Sequence, residues 1–234
     1  MEVILMRTEI NAENNRSWRS QSGRSLIETL TVVAIAALLT TMAVPQMMNA
    51  RRLLRSNQLP REIATQLRFT RQQAMTQRQA FTFQYDNSTK TIKVFDHNNN
   101  NNATSGCNIT GTAVLSASGY PNTSCSTTVL TVPLATGPIA PADLTYGIPS
   151  GINANSSTAL DDGNTMTALS GTVVNITFQP DGTVLDATGG YAKPTLFFYN
   201  TQIPTQTAVA ISVLGAAGRI KVWRYSTSAS KYAE

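Results

Sequence analysis

The sequence predicts an α+β protein: a long N-terminal helix, membrane-spanning and kinked by proline, packed on a C-terminal β-rich head. Three features carry that expectation. Leu26 to Val44 is a predominantly apolar stretch of 19 residues, which at 1.5 Å per residue reaches about 29 Å, close to the hydrocarbon thickness of a bilayer. Gln46 to about Gln79 then continues in a helical, amphipathic rhythm. From Phe81 onward the rhythm changes to a two-residue alternation, in AFTFQYD, TIKVFD and VVNITF.

Taken in order, residues 1–23 are polar and lack the apolar core of a secretory signal peptide. The apolar stretch follows, and its one charged side chain is Glu28. A charge costs at least about 2.5–3.5 kcal/mol at the bilayer centre, so a carboxylate here points to function and to a positive partner from elsewhere. Arg16, Arg19 and Arg24 flank one end of the span and Arg51, Arg52 and Arg55 the other, so loop charge alone does not orient it. Pro45 removes one backbone hydrogen bond and crowds the preceding turn, predicting a kink or local melting.

Residues 45–80 are expected to continue the helix. Met47, Leu54, Ile63, Leu67, Thr70 and Ala74 can share one face, with Arg51, Arg55, Arg68, Arg71 and Arg78 mostly elsewhere. These arginines suit a solvated or subunit-facing helix side better than a polyanion stripe. Pro60 predicts a second kink or a break near Ser56–Pro60.

The head occupies residues 81–234. AFTFQYD and TIKVFD around Asn87-Ser88-Thr89 read as a hairpin. A long irregular insertion spans about 97–170, with weak strands near Ala113–Ala117 and Val129–Leu134. VVNITFQPDGTVLD reads as strand, Pro180-Asp181-Gly182 turn and strand. TLFFYN, AVAISVLG and GRIKVWRYS complete the regular part. In the last of these a two-residue period places Arg219, Lys221 and Trp223 on one face and Ile220 and Val222 on the other.

The totals exclude more than they specify. With 234 residues the chain suits one globular domain plus a helix, and charged residues make up 13%. Within residues 1–23, Arg7, Arg16 and Arg19 cancel Glu2, Glu9 and Glu13, so the formal +5 belongs to the remainder. That mild excess is compatible with a polyanion partner. The lone His97 supplies no Ser/His/Asp set, and no phosphate-cradling glycine loop or HExxH occurs. Asp161-Asp162-Gly163-Asn164 lacks the other ligands and closing Glu of a calcium loop. No catalytic residue, cofactor or metal is expected, and the chain does not read as an enzyme.

GRSLIETLTVVAIAALL, from Gly23 to Leu39, resembles the cleavage site and hydrophobic helix of type IV pilins and type II secretion pseudopilins. LRFTRQQAMTQRQ, with Arg71 and Ala74, the FQPDG segment and the late Gly-Arg resemble the GspH/FimT branch of minor pilins. The likeness covers about Gly23–Gln79 and Val173–Ser226. It implies that prepilin peptidase removes the leader 1–23 after Gly23 and N-methylates Arg24, where the family usually has Phe. Residues 24–44 then form the transmembrane and assembly helix, with Glu28 meeting the terminal ammonium of a neighbouring subunit and Pro45 softening the helix. The family orientation puts the leader in the cytoplasm and the head in the periplasm, with the chain in the bacterial inner membrane before it joins a fibre of other pilins or pseudopilins.

Export would bring Cys107 and Cys125 into an oxidising compartment. A disulfide between them is expected there, rather than two free thiols, stabilising by roughly 3 kcal/mol. The resemblance leaves three roles open: a minor pilin of the type IV pilus, a pseudopilin of a type II secretion system, or a DNA-binding minor pilin. Some relatives contact DNA through a basic Gly-Arg-x-Arg motif. The corresponding residues here are Gly218-Arg219-Ile220-Lys221, giving Arg219, Lys221, Trp223 and Arg224 as expected DNA contacts.

Overall fold

Helix α1 runs from Leu26 to Ser56 and takes Pro45 within it. The computed structural model describes residues 25–97, 126–136, 140–152, 160, 166–186 and 189–234. The expectations on Gly23, Arg24, Cys107, Cys125, Ala113–Ala117 and Asp161–Asn164 lie outside these residues. The chain divides into two units, Met1–Met47 and Met48–Glu234.

The first unit consists, in its described part, of the apolar portion of α1. Its side chains are exposed, Leu26 at 80% and Val33 at 67%. α1 continues through Pro45 without local loss of helix.

In the second unit the break falls at Asn57–Gln58. Pro60 lacks the N–H that would bond the carbonyl of Ser56, so the α1 ladder cannot pass through it. Gln58 N–H instead bonds the Arg55 carbonyl at 3.0 Å, closing α1 on a tightened turn. Helix α2, Leu59–Gln77, starts afresh with its proline in the first turn, where no donor is needed. This break corrects the expected apolar stripe. Ile63, Leu67, Thr70 and Ala74 are buried on α2, but Met47 and Leu54 precede the break and are exposed. The helix that packs on the sheets is α2.

The strands are β1 Phe81–Asp86, β2 Thr91–Asp96, β3 Thr127–Pro133, β4 Thr145–Tyr146, β5 Val173–Phe178, β6 Thr195–Tyr199, β7 Val209–Leu214, β8 Arg219–Ser226 and β9 Lys231–Ala233, with a short helix α3 at Pro204–Thr207. They form two sheets, β3-β2-β1-β5 and β4-β6-β7-β8-β9, with every pairing antiparallel. The second strand expected after the Pro180-Asp181-Gly182 turn reduces to single bridges at Val184 and Leu185.

One core joins α2 to both sheets. Phe81, Phe83 and Tyr85 of β1 meet Leu196 and Phe198 of β6 and Ile211 and Val213 of β7. Tyr85 and Phe198 pack edge to face at 5.1 Å between ring centroids, a geometry that aromatic quadrupoles favour. A second cluster lies on the other face of the five-stranded sheet: Ile152, Leu160, Phe197, Ala210, Trp223 and Tyr232. Strands β6 and β7 are therefore buried on both faces, which explains why TLFFY reads as a continuous apolar run rather than an alternation.

Candidate functional site

Two regions hold the residues singled out by sequence: the head of α1 and strand β8. Glu28 is exposed in the first turn of α1, where the unpaired N–H groups of a helix start favour an acid. It is the only charged side chain between Leu26 and Ala50. The four threonines of this portion all turn their hydroxyls onto their own helix. Thr29 donates to the Leu26 carbonyl at 2.9 Å, Thr31 to Glu28 at 2.8 Å, Thr40 to Ala36 at 2.7 Å and Thr41 to Leu38 at 2.8 Å. No hydroxyl here needs water, so the surface behaves as apolar despite its Thr content. This helix is long and apolar enough to cross a membrane, its apolar portion reaching a mean hydropathy of 2.0 over 18 residues.

Strand β8 keeps the predicted parity, since the Lys221 ammonium lies 4.8 Å from the centroid of the Trp223 ring. The exposure differs from a nucleic-acid face. Trp223 is 8% exposed, packed in the second cluster, and its indole N–H donates to Ser212 Oγ at 2.9 Å. Lys221 pairs with the Glu234 carboxylate at 2.9 Å, and Arg224 donates to Asn57 Oδ1 at 2.7 Å. Arg219 and Arg224 are exposed. Sequence parity placed Trp223 beside the cations but could not reveal that Ile148, Ile152, Leu160 and Tyr232 pack with it.

Arg71 is the residue whose role sequence reasoning missed. Assigned to a solvated stripe, it turns inward: Nε donates to the Gly182 carbonyl at 3.3 Å and Nη2 to the Ala217 carbonyl at 3.0 Å. Both glycine motifs thus converge on one guanidinium. Gly218 has φ +59°, and a Cβ there would stand 2.2 Å from Arg71 Nε and 2.2 Å from the Gly182 carbonyl. In this fold the Gly of Gly-Arg serves close packing against Arg71.

His97 is likewise structural. It is 4% exposed, with Nε2 2.5 Å from Thr82 Oγ1, itself 2.7 Å from Thr177 Oγ1. Burial pushes its pKa down to about 4, so the ring is neutral at physiological pH. Among the described residues no group of three His, Cys, Asp or Glu is placed to hold a metal.

The described structure is therefore α+β, an apolar N-terminal helix followed by a helix on two antiparallel sheets. No family model matches the chain, and no curated protein matches it. Among solved structures the chain is similar to the type IV minor pilin FimU of Pseudomonas aeruginosa strain PAO1. The two are 18% identical, with a TM-score of 0.40, covering 76% of this chain and 92% of that one.

Proposed function

We propose that this chain is a minor pilin: a filament subunit of the type IV pilin class, held in the inner membrane by α1 until it is incorporated into, or primes, a fibre. The observation that carries the reading is Glu28, the single charged side chain between Leu26 and Ala50 in the apolar, internally hydrogen-bonded portion of α1. A lone charge in lipid is tolerable when an opposite charge arrives in register, and removing one member of such a pair is costly. Cleavage after Gly23 would supply that charge as the α-amino group of Arg24 on an adjacent copy or a related subunit. Pro45 gives the helix a place to yield as it leaves the bilayer. A type II pseudopilin would use the same leader and helix, and the machinery the chain co-purifies with separates the two roles. The DNA-contact reading of β8 keeps the exposed Arg219 and Arg224 as cations but loses Trp223 as a stacking surface, because that ring is enclosed.

The test has two parts. Mass spectrometry of the membrane-extracted protein is expected to show an N-terminus at Arg24 carrying a methyl group. Glu28→Val is expected to insert normally yet be strongly depleted from sheared filaments. A protein that retains residues 1–23 in cells with active prepilin peptidase, or a variant present in filaments at the wild-type level, would refute the assignment.

A further inference from the structure

Among the described residues four strands stand at sheet edges: β3 and β5 in one sheet, β4 and β9 in the other. An edge strand presents backbone donors and acceptors with which another chain can pair, and proteins blunt such edges by shortness, charge or cover. β4 has two residues, and β9 has three, one of them Lys231. β5 is closed at both ends by bridges, Val173 to Ser170 and Phe178 to Val184. β3 differs. Thr127–Pro133 is seven residues long, carries no charge and is exposed over most of its length, Val129 at 46%. Its register with β2 identifies the backbone groups left over. The Leu134 N–H donates to the Lys90 carbonyl at 2.9 Å, so Val132 and Leu130, opposite Ile92 and Val94, turn their backbone groups toward β2, and Thr131 between them turns its N–H and carbonyl outward. Neither group has a partner among the described residues. The open stretch is bounded on both sides. Pro133 has no N–H and its carbonyl accepts from Thr136 Oγ1 at 3.3 Å, while beyond Leu130 the ladder shifts register, between Val94 and Phe95. On the face opposite the Thr131 side chain, Leu130 and Val132 lie half-buried at the margin of the core.

We propose that β3 pairs antiparallel with β3 of a second copy of this chain, about a two-fold axis at Thr131. The strand is complementary to itself in that register. Thr131 meets Thr131 of the second copy, exchanging both N–H···O=C bonds and setting two hydroxyls side by side on one face. On the other face Leu130 of each copy meets Val132 of the other, so both half-buried side chains gain apolar cover and the core margin extends across the pair. Val129 meets Pro133 at either end, where the missing proline N–H interrupts neither Thr131 bond. β3 carries no charge by which an unlike partner would be selected, whereas every contact of the self-pairing joins like chemistries. The inference concerns the head alone and does not rest on the pilin reading.

The experiment is oxidative crosslinking of the full chain, purified in detergent, with the wild type setting the background from Cys107 and Cys125. Thr131 is exposed, so Thr131→Cys leaves the core intact. A hydrogen-bonded antiparallel pair holds its Cα atoms about 5.5 Å apart, inside the disulfide range of about 4.4–6.8 Å, so this variant is expected to form a covalent dimer well above background. Val129→Cys, on the same strand and also exposed, is expected to stay at background. In this register its counterpart lies four residues further along, about 13 Å away, beyond the reach of a disulfide. A Thr131→Cys protein that remains at the wild-type level would overturn the proposal, and equal crosslinking of Val129→Cys would reduce it to random collision. In cell membranes, Thr131→Cys joined to a different protein and never to its own copy would overturn the second copy as occupant. None of these results bears on the pilin assignment, which is read at Glu28 and Arg24.

Discussion

Gly218 shows how one missing carbon can hold a structure together. Its φ of +59° lies in the left-handed region, and the space where a Cβ would sit is taken by Arg71 and the Gly182 carbonyl. Gly218→Ala is expected to destabilise the head by at least about 2 kcal/mol, the conformational cost plus displacement of Arg71. Chemical denaturation of detergent-solubilised protein reads this directly, and an unchanged midpoint would show that Arg71 moves aside freely. His97 makes the second residue-scale prediction. Its pKa is lowered from 6.5 to about 4 by burial, so between these values the unfolded chain binds more protons than the folded one. The stability this provides is fully present above pH 6.5 and lost as pH falls toward 4, amounting to about 3 kcal/mol at most. Denaturation midpoints over that window should fall more steeply for wild type than for His97→Gln; parallel curves would contradict the assignment.

Among the elements, α2 is the one on which both sheets depend. Its buried positions, Leu59, Ile63, Ala64, Leu67, Thr70 and Ala74, face the core, and its one inward arginine ties the Gly182 turn to the Ala217 carbonyl preceding β8. Those two carbonyls belong to segments with little regular structure of their own, so a charged donor there substitutes for ladder bonds. Arg71→Ala is expected to cost about 1.5–3 kcal/mol, the range for hydrogen bonds to a charged group. Arg68→Ala, on the exposed side of the same helix, should stay within about 0.5 kcal/mol. Comparable losses for the two variants, by the same denaturation measurement, would remove the distinction. The periodicity of α2 was readable because apolar residues recur along a single helix. The reversal of Arg71 was not, because its partners lie 111 and 146 residues away.

At the scale of the molecule, every buried apolar residue of both clusters lies at Leu59 or later, while α1 up to Met47 contributes exposed apolar surface. A chain beginning at Met48 is therefore expected to stay in solution without detergent and to unfold cooperatively on heating; aggregation or a broad, non-cooperative transition would show that the head needs what precedes it. The apolar span, its single acid, the break before Pro60 and the β1–β2 hairpin were legible in the sequence alone. Each is set by interactions within a few residues: a helical rhythm, a missing N–H, a two-residue alternation. Which side of β8 meets water, where Arg71 points and which sheet edge is left open were decided only by the tertiary structure. Those outcomes depend on what distant segments bring to the same place, and burial, unlike parity or helix rhythm, is a property of neighbours that no local stretch of chain encodes.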